Sequence, residues 1–192
     1  MTSDVTSGTL LDALKRAAAV LRDHDIEFAL AGGFAVYARG GPETDHDVDF
    51  VLQREDAERA LKLLVEAGFQ AQRPPEGWLY KVCDDNGAVI DLIYAPNNRP
   101  QDVPAILTRA DEMEIYAITI KVMSVTDVLA SKLRALKEHE VDYDPVLEVA
   151  RACREQIDWE VLREQTGDYP YAKAFFTLAE ELGLTPQATR RS

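Results

Sequence analysis

The segment His46–Leu52, HDVDFVL, alternates acidic and apolar residues, and that alternation admits few local structures. In a β-strand, residues i and i+2 point to the same face. Asp47 and Asp49 therefore project together, while Val48 and Phe50 turn toward a core. Adjacent carboxylates repel each other and resist dehydration, and a hard divalent cation is the usual compensation. A solvated edge strand is the alternative, although acids are depleted in strands generally. Asp91 stands in a second apolar stretch, AVIDLIY (88–94), flanked by Ile90 and Leu92, where core packing gives it no role. If the two strands are neighbours, three carboxylates converge. Such a set can hold two Mg²⁺ ions about 3.5–4 Å apart, the arrangement used for in-line phosphoryl displacement.

The flanking pattern is mixed. Leu10, Leu11, Leu14, Ala17, Ala18 and Leu21 recur at helical spacing and predict a helix over about 8–24. Residues 27–31 (EFALA) read as a buried strand, broken by Gly32-Gly33, and FAVYARG as a short helix ending at Gly40-Gly41. A helix is expected over 54–67, with Ala57, Ala60, Leu61, Leu64 and Val65 as its apolar stripe. Strands at 78–83 (WLYKVC) and 88–94 are joined through Asp84-Asp85-Asn86-Gly87, whose Asn-Gly is a hairpin signal. Residues 96–104 read as a loop and 114–122 as extended. Ser124 then caps a helix to about 138, and helices follow over 144–153, 159–165 and 171–182, before a frayed tail. The expected class is α/β: a mixed sheet packed by helices over residues 1–122, then a helical C-terminal part over 123–192.

Charge narrows the function. Lys plus Arg number 21 and Asp plus Glu 34, a net of 21 − 34 = −13. Nonspecific nucleic-acid affinity comes mostly from phosphate neutralisation. A chain this acidic does not coat long duplexes, and it suits a small anionic substrate delivered as its magnesium complex. No apolar run approaches the roughly 20 residues of a membrane span. The N-terminus lacks the order of a secretory signal, so a cytoplasmic location is expected. Cys83 and Cys153 are far apart and outside any metal-binding spacing, which predicts two small, largely buried thiols.

Gly32-Gly33 follows one strand and opens one helix, where backbone amides can approach a phosphate; an ordinary tight turn explains it equally. Its position before the acid pair adds weight. GG, thirteen residues, then DVDF resembles the signature of the polymerase-β-type nucleotidyltransferase superfamily, with Asp91 in VIDLIY resembling its third carboxylate. GGFAVYARGGPETDHDVDF followed by a KLRAL helix is most similar to the bacterial toxin-type nucleotidyltransferases of the AbiEii and MenT kind. The resemblance covers about residues 26–94. It implies a nucleotidyltransferase-type sheet, Asp47, Asp49 and Asp91 as metal ligands for Mg²⁺ (or Mn²⁺), and an NTP bound at Gly32 and Gly33.

Two departures stand out. Gly33 replaces a frequent Ser and offers only its amide. The arginine of R-x-T-x-D-x-D is absent, with Arg39 as a substitute for that triphosphate contact. The resemblance places a catalytic lysine in the 124–138 helix. Lys132 in VLASKLRAL borders an apolar stripe, from which it either reaches a phosphate or snorkels to solvent. Asp144 matches a further acid after that helix; it holds Lys132, acts at the acceptor hydroxyl, or simply caps a helix before Pro145. Asp45 has the parity of the acid face and His46 does not. His24 and His139 read as surface residues. Trp78 and Tyr80 either stack on a base or pack in the hairpin. Arg134, Lys137, Arg151 and Arg154 are the basic grouping that would meet an RNA end.

The expected activity is thus Mg²⁺-dependent NMP transfer from an NTP to a hydroxyl, with release of pyrophosphate. The family resemblance points first to the 3′ end of tRNA, in a toxin paired with a cognate antitoxin. Alternatives are an aminoglycoside-type small molecule, a partner protein, or a non-catalytic nucleotide-binding or antitoxin-like module.

Overall fold

A computed structural model describes residues 7–44, 47–72, 74–75 and 77–186. Among them, seven strands form one mixed sheet: β1 (Phe28–Ala31), β2 (Val48–Leu52), β3 (Gln70–Gln72), β4 (Leu79–Cys83), β5 (Val89–Ile93), β6 (Asp111–Ile115) and β7 (Ile118–Val122). Their order is β3-β4-β5-β2-β1-β7-β6. The acid-bearing strands β2 and β5 are parallel neighbours, and β1 lies antiparallel to β2 on its other side. Phe50, Leu52, Ile90 and Leu92 are fully buried, as apolar residues on central strands should be.

Helices α1 (Ser7–Asp23) and α3 (Arg54–Glu66) pack on each other and on β5. Short α2 (Gly32–Ala38) joins β1 to the loop before β2, and α4 (Val103–Arg109) contacts β2. In the C-terminal part, α5 (Val125–Ala135) is the hub. It touches α2 toward the sheet, and also α6 (Asp144–Ala152), α7 (Trp159–Thr166) and α8 (Pro170–Glu181). One hydrophobic cluster runs from Leu30 and Phe50 in the sheet through Leu129 and Leu133 of α5 to Leu162 and Phe175. α5 begins where expected, with the Ser124 hydroxyl accepting from the Asp127 amide 3.0 Å away.

Several elements differ from the sequence expectation. The stretch 114–122 is not one extended segment but the second half of a β6–β7 hairpin, turned at Tyr116 and Ala117 with φ of 51° and 65°. Two positive φ values at a tight turn normally call for Gly or Asn, so the turn left no sequence signal. The Tyr116 ring stacks on Tyr37, with centroids 6.3 Å apart. β3 is polar and exposed along its length, which hides it from a periodicity argument. α4 begins inside the stretch read as a loop. α5 stops at Ala135, short of 138, because Leu136 turns to an extended conformation and buries itself.

Candidate active site

The sheet register brings the acids together. Asp49 is paired with Asp91 across β2 and β5, and with Ala31, the residue before Gly32, across β2 and β1. Directly opposed residues share a face, so both carboxylates emerge at one end of the sheet beside the start of α2. Asp47 sits just before β2 with its side chain half exposed. All three line a cleft of ≈ 640 Å³ together with Gly32, Gly33 and Lys132. Asp45 and His46 lie outside the described residues.

The electrostatics are those of crowded acids. Burial, then the charges of Asp91 and Asp47, push the Asp49 carboxyl up to about 7; Lys81 and Lys132 pull it the other way without cancelling this. The approach of Asp49 depends on Gly32. That residue has φ +56°, and a Cβ there would stand 1.8 Å from Asp49 Oδ2. A Cβ at Gly33 would stand 2.5 Å from Thr44 Oγ1, so a hydroxyl already occupies the space beside this glycine. Thr44 also lines the cleft.

Sequence reasoning missed Lys81. It lies opposite Asp91 in the β4–β5 pair, and its Nζ is 2.6 Å from each Asp91 carboxylate oxygen and 3.3 Å from Asp47 Oδ2. Burial alone would lower the Lys81 pKa, but the hydrogen bond and charge of Asp91, with the charge of Asp47, raise it overall. The signal was present in the cross-strand pairing of the Asn-Gly hairpin, provided the turn was counted correctly.

Other expected residues stand elsewhere. The Arg39 guanidinium is engaged by the sheet edge. Its Nε donates to Met123 O and its Nη2 to Val122 O and to Asp111 Oδ2, each at 2.8 Å, tying the end of α2 to β7 and β6. Asp144 is exposed in the first turn of α6, and Pro145, Glu148 and Val149 of that helix line the cleft instead. Glu43 joins them.

The basic grouping does not assemble on this cleft. Arg134 borders a separate recess with Arg99 and Arg109. Arg154 pairs with Glu155 at 2.8 Å, and Lys137 and Arg151 are exposed. Lys132 is the one basic side chain lining the cleft among the described residues.

A second cleft of ≈ 390 Å³ adjoins the first and shares Gly32, Asp49 and Lys132 with it. Its walls are largely apolar, with Trp78, Val51, Ile93 and Met123. Tyr80 instead packs against Tyr94, with ring centroids 5.1 Å apart. His24 and His139 are exposed, Cys83 is half-buried and Cys153 buried.

Among the described residues, no three Asp, Glu, His or Cys side chains form a ready-made cage. Asp47 and Asp49 fit one hard cation, since they are mutually repelling oxygen donors on one cleft wall. Both oxygens of Asp91 face the Lys81 ammonium.

Comparison with known proteins agrees with this fold. A family model described as "Uncharacterised nucleotidyltransferase" matches residues 3–186. The chain belongs to that nucleotidyltransferase family. It is a transferase with the polymerase-β-like fold. Among solved structures, the antibiotic-resistance factor ANT(2'')-Ia is 12% identical with a TM-score of 0.63, over 92% of this chain and 100% of that one. An antigenic nucleotidyltransferase-like protein from Paracoccidioides brasiliensis is 16% identical with a TM-score of 0.56, over 96% and 97%. The lincosamide antibiotic adenylyltransferase LnuA, bound to lincomycin, is 12% identical with a TM-score of 0.51, over 76% and 95%. At these identities the likeness is one of fold. No curated protein matches the chain. Nucleotidyltransferases of this fold generally work with divalent metal ions.

Proposed function

We propose that this nucleotidyltransferase moves an NMP group from an NTP to a hydroxyl of a small, positively charged acceptor. The observation that carries the choice of acceptor is the sign of the cleft. Among the described residues, Glu43, Asp47, Asp49, Asp91 and Glu148 line it with Lys132, and with Lys81 paired to Asp91 and Asp47 the acids still outnumber the cations five to two. Acidic walls draw in cations and repel a polyanion. The tRNA 3′ end, with the antitoxin it would call for, uses the same donor chemistry. It lacks a basic surface at this cleft, since Arg134, Arg151 and Arg154 are not among its lining residues.

In the proposed reaction, the acceptor oxygen attacks the α-phosphorus in line, the bond to the β-phosphate oxygen breaks, and pyrophosphate leaves with its electron pair. The acceptor proton passes to the carboxylates of the cleft. Asp47 and Asp49 would hold Mg²⁺ or Mn²⁺, which supplies Lewis-acid charge to the phosphates when bound. Lys132, on the wall shared by both clefts, faces the triphosphate as a point charge. Gly32 and Gly33 let the backbone approach it closely. The apolar cleft with Trp78 takes the base by stacking. Glu43 and Glu148 pair with ammonium groups of the acceptor.

The test incubates the chain with each NTP and Mg²⁺, with aminoglycoside-type amino sugars and total tRNA as parallel acceptors. Pyrophosphate release and acceptor mass are followed. A gain of one NMP on an amino sugar, absent with Asp49→Ala, supports the proposal. Transfer to tRNA alone overturns the acceptor, and transfer to neither overturns the reaction.

A further inference from the structure

We propose that Lys81 is a built-in counter-cation that competes with a divalent ion for Asp91, so that this site takes one metal ion readily and a second only when Lys81 withdraws.

The Lys81 ammonium is equidistant from the two Asp91 oxygens at 2.6 Å and also reaches Asp47 Oδ2 at 3.3 Å. A Mg²⁺ ion binds carboxylate oxygens at about 2.0–2.1 Å. It cannot take Asp91 on the same side as an ammonium this close without strong repulsion between the cations. The pairing is also held by the backbone, because Lys81 and Asp91 are opposed residues in an antiparallel ladder. Asp91 is nearly buried, and Lys81 keeps a quarter of its side chain exposed. The lysine thus has an exit to solvent, while the carboxylate stays fixed. Asp49 touches neither constraint: its register partner is Asp91, and Lys81 acts on it only at a distance. Lys81 reaches Asp47 at 3.3 Å against 2.6 Å for Asp91, so the Asp47–Asp49 pair is the easier place for a first ion.

Lys81 also has a role before any metal arrives. Three carboxylates that share one cleft without a cation would repel and loosen the sheet end. A resident ammonium holds them in register, and an incoming ion inherits a formed site. The inference rests on the nucleotidyl-transfer reading only for the identity of the metal ligands, and its test needs no turnover.

Mn²⁺ binding to the full chain is measured calorimetrically and by electron paramagnetic resonance, without nucleotide, at one pH. The wild type should bind one ion tightly. Lys81→Met should bind a second ion, or bind Mn²⁺ tighter by about 10-fold or more, the scale on which groups supporting a ligand alter metal affinity. Lys81→Arg keeps the cation and should behave as wild type. Equal stoichiometry and affinity in Lys81→Met and wild type overturn the role of Lys81 alone. No Mn²⁺ bound by any of them overturns the metal-site reading as well. If Lys81→Met is poorly folded, Lys81→Gln is melted with and without Mn²⁺. A larger Mn²⁺-induced rise in Tm than in wild type supports the competition, and an equal rise overturns it.

Discussion

Asp49 Oδ2 occupies the space that a Cβ on Gly32 would need, 1.8 Å from the ideal Cβ position. The Asp49 carboxylate and the turn that opens α2 are therefore fitted to each other, and Gly32 has no room for a side chain while Asp49 stays in place. Gly32→Ala should destabilise the chain by at least about 2 kcal/mol, from left-handed strain plus the clash. It should also cut transfer by on the order of 10²-fold as Asp49 is displaced. Urea unfolding together with steady-state rates checks both; near wild-type stability and rate would refute the fit.

The raised Asp49 carboxyl has a defined pH signature. A folded-state pKa of about 7 against 3.8 means the native chain holds this proton more tightly than the unfolded one. The cost of ionisation is absent below the unfolded value, grows as pH rises, and is complete above about 7. Its ceiling is about 4 kcal/mol at roughly 1.4 kcal/mol per pH unit. In metal-free buffer, Asp49→Asn should melt like wild type near pH 4 and clearly higher near pH 8, while losing roughly 10²–10³-fold in transfer. A difference in Tm that is flat with pH would contradict the burial argument.

The hydrogen bonds of Arg39 tie the end of α2 to the sheet edge, which predicts a structural part for it and none in binding the NTP. Arg39→Ala strips donors from Met123 O and Val122 O and a partner from Asp111, which should cost about 2–3 kcal/mol. The KM for the NTP should stay within about twofold of wild type in the folded fraction. A large rise in that KM with unchanged stability would return Arg39 to the triphosphate.

Asp127 is buried at 3% exposure, and its carboxylate accepts four hydrogen bonds from three residues. Arg109 donates to it twice, at 2.6 and 3.0 Å, Ser124 Oγ at 2.7 Å and Gln165 Nε2 at 2.7 Å, while the Ser124 hydroxyl caps its amide. Asp127→Ala should cost about 3–5 kcal/mol, since it leaves a guanidinium and two dipoles without their acceptor. Chemical denaturation measures this directly, and a loss under about 1 kcal/mol would show the cluster to be slack.

Glu43 and Glu148 carry the acceptor assignment. Charge-removing changes, Glu43→Gln with Glu148→Gln, should raise KM for a cationic acceptor by about tenfold and leave KM for the NTP nearly constant. Equal effects on both substrates would tie these acids to the donor side.

The local elements were legible in the sequence wherever apolar period and polar punctuation agreed. The alternation in HDVDFVL, the apolar stripe of α3 and the Ser124 cap each encode a strand or helix without outside help. The i, i+2 spacing suggests that Asp47 and Asp49 share a face and makes the case for a cation near them, although Asp47 lies just before β2. What the chain alone could not decide was register and rotation. Had the Asn86-Gly87 turn been a two-residue hairpin, Val82 would face Asp91. The observed turn starts at Asp84, which accepts from Asn86 N and Ala88 N, and closes with Gly87 at φ +84°. That extra residue shifts the ladder by one and sets Lys81 opposite Asp91. In the same way, the direction of α2 sends Arg39 to backbone carbonyls, and α6 presents Glu148 rather than Asp144 to the cleft. Short-range preferences fix which residues are strand or helix; a one-residue register step or a part-turn of a helix costs little locally, and only the packing of the whole core chooses among them.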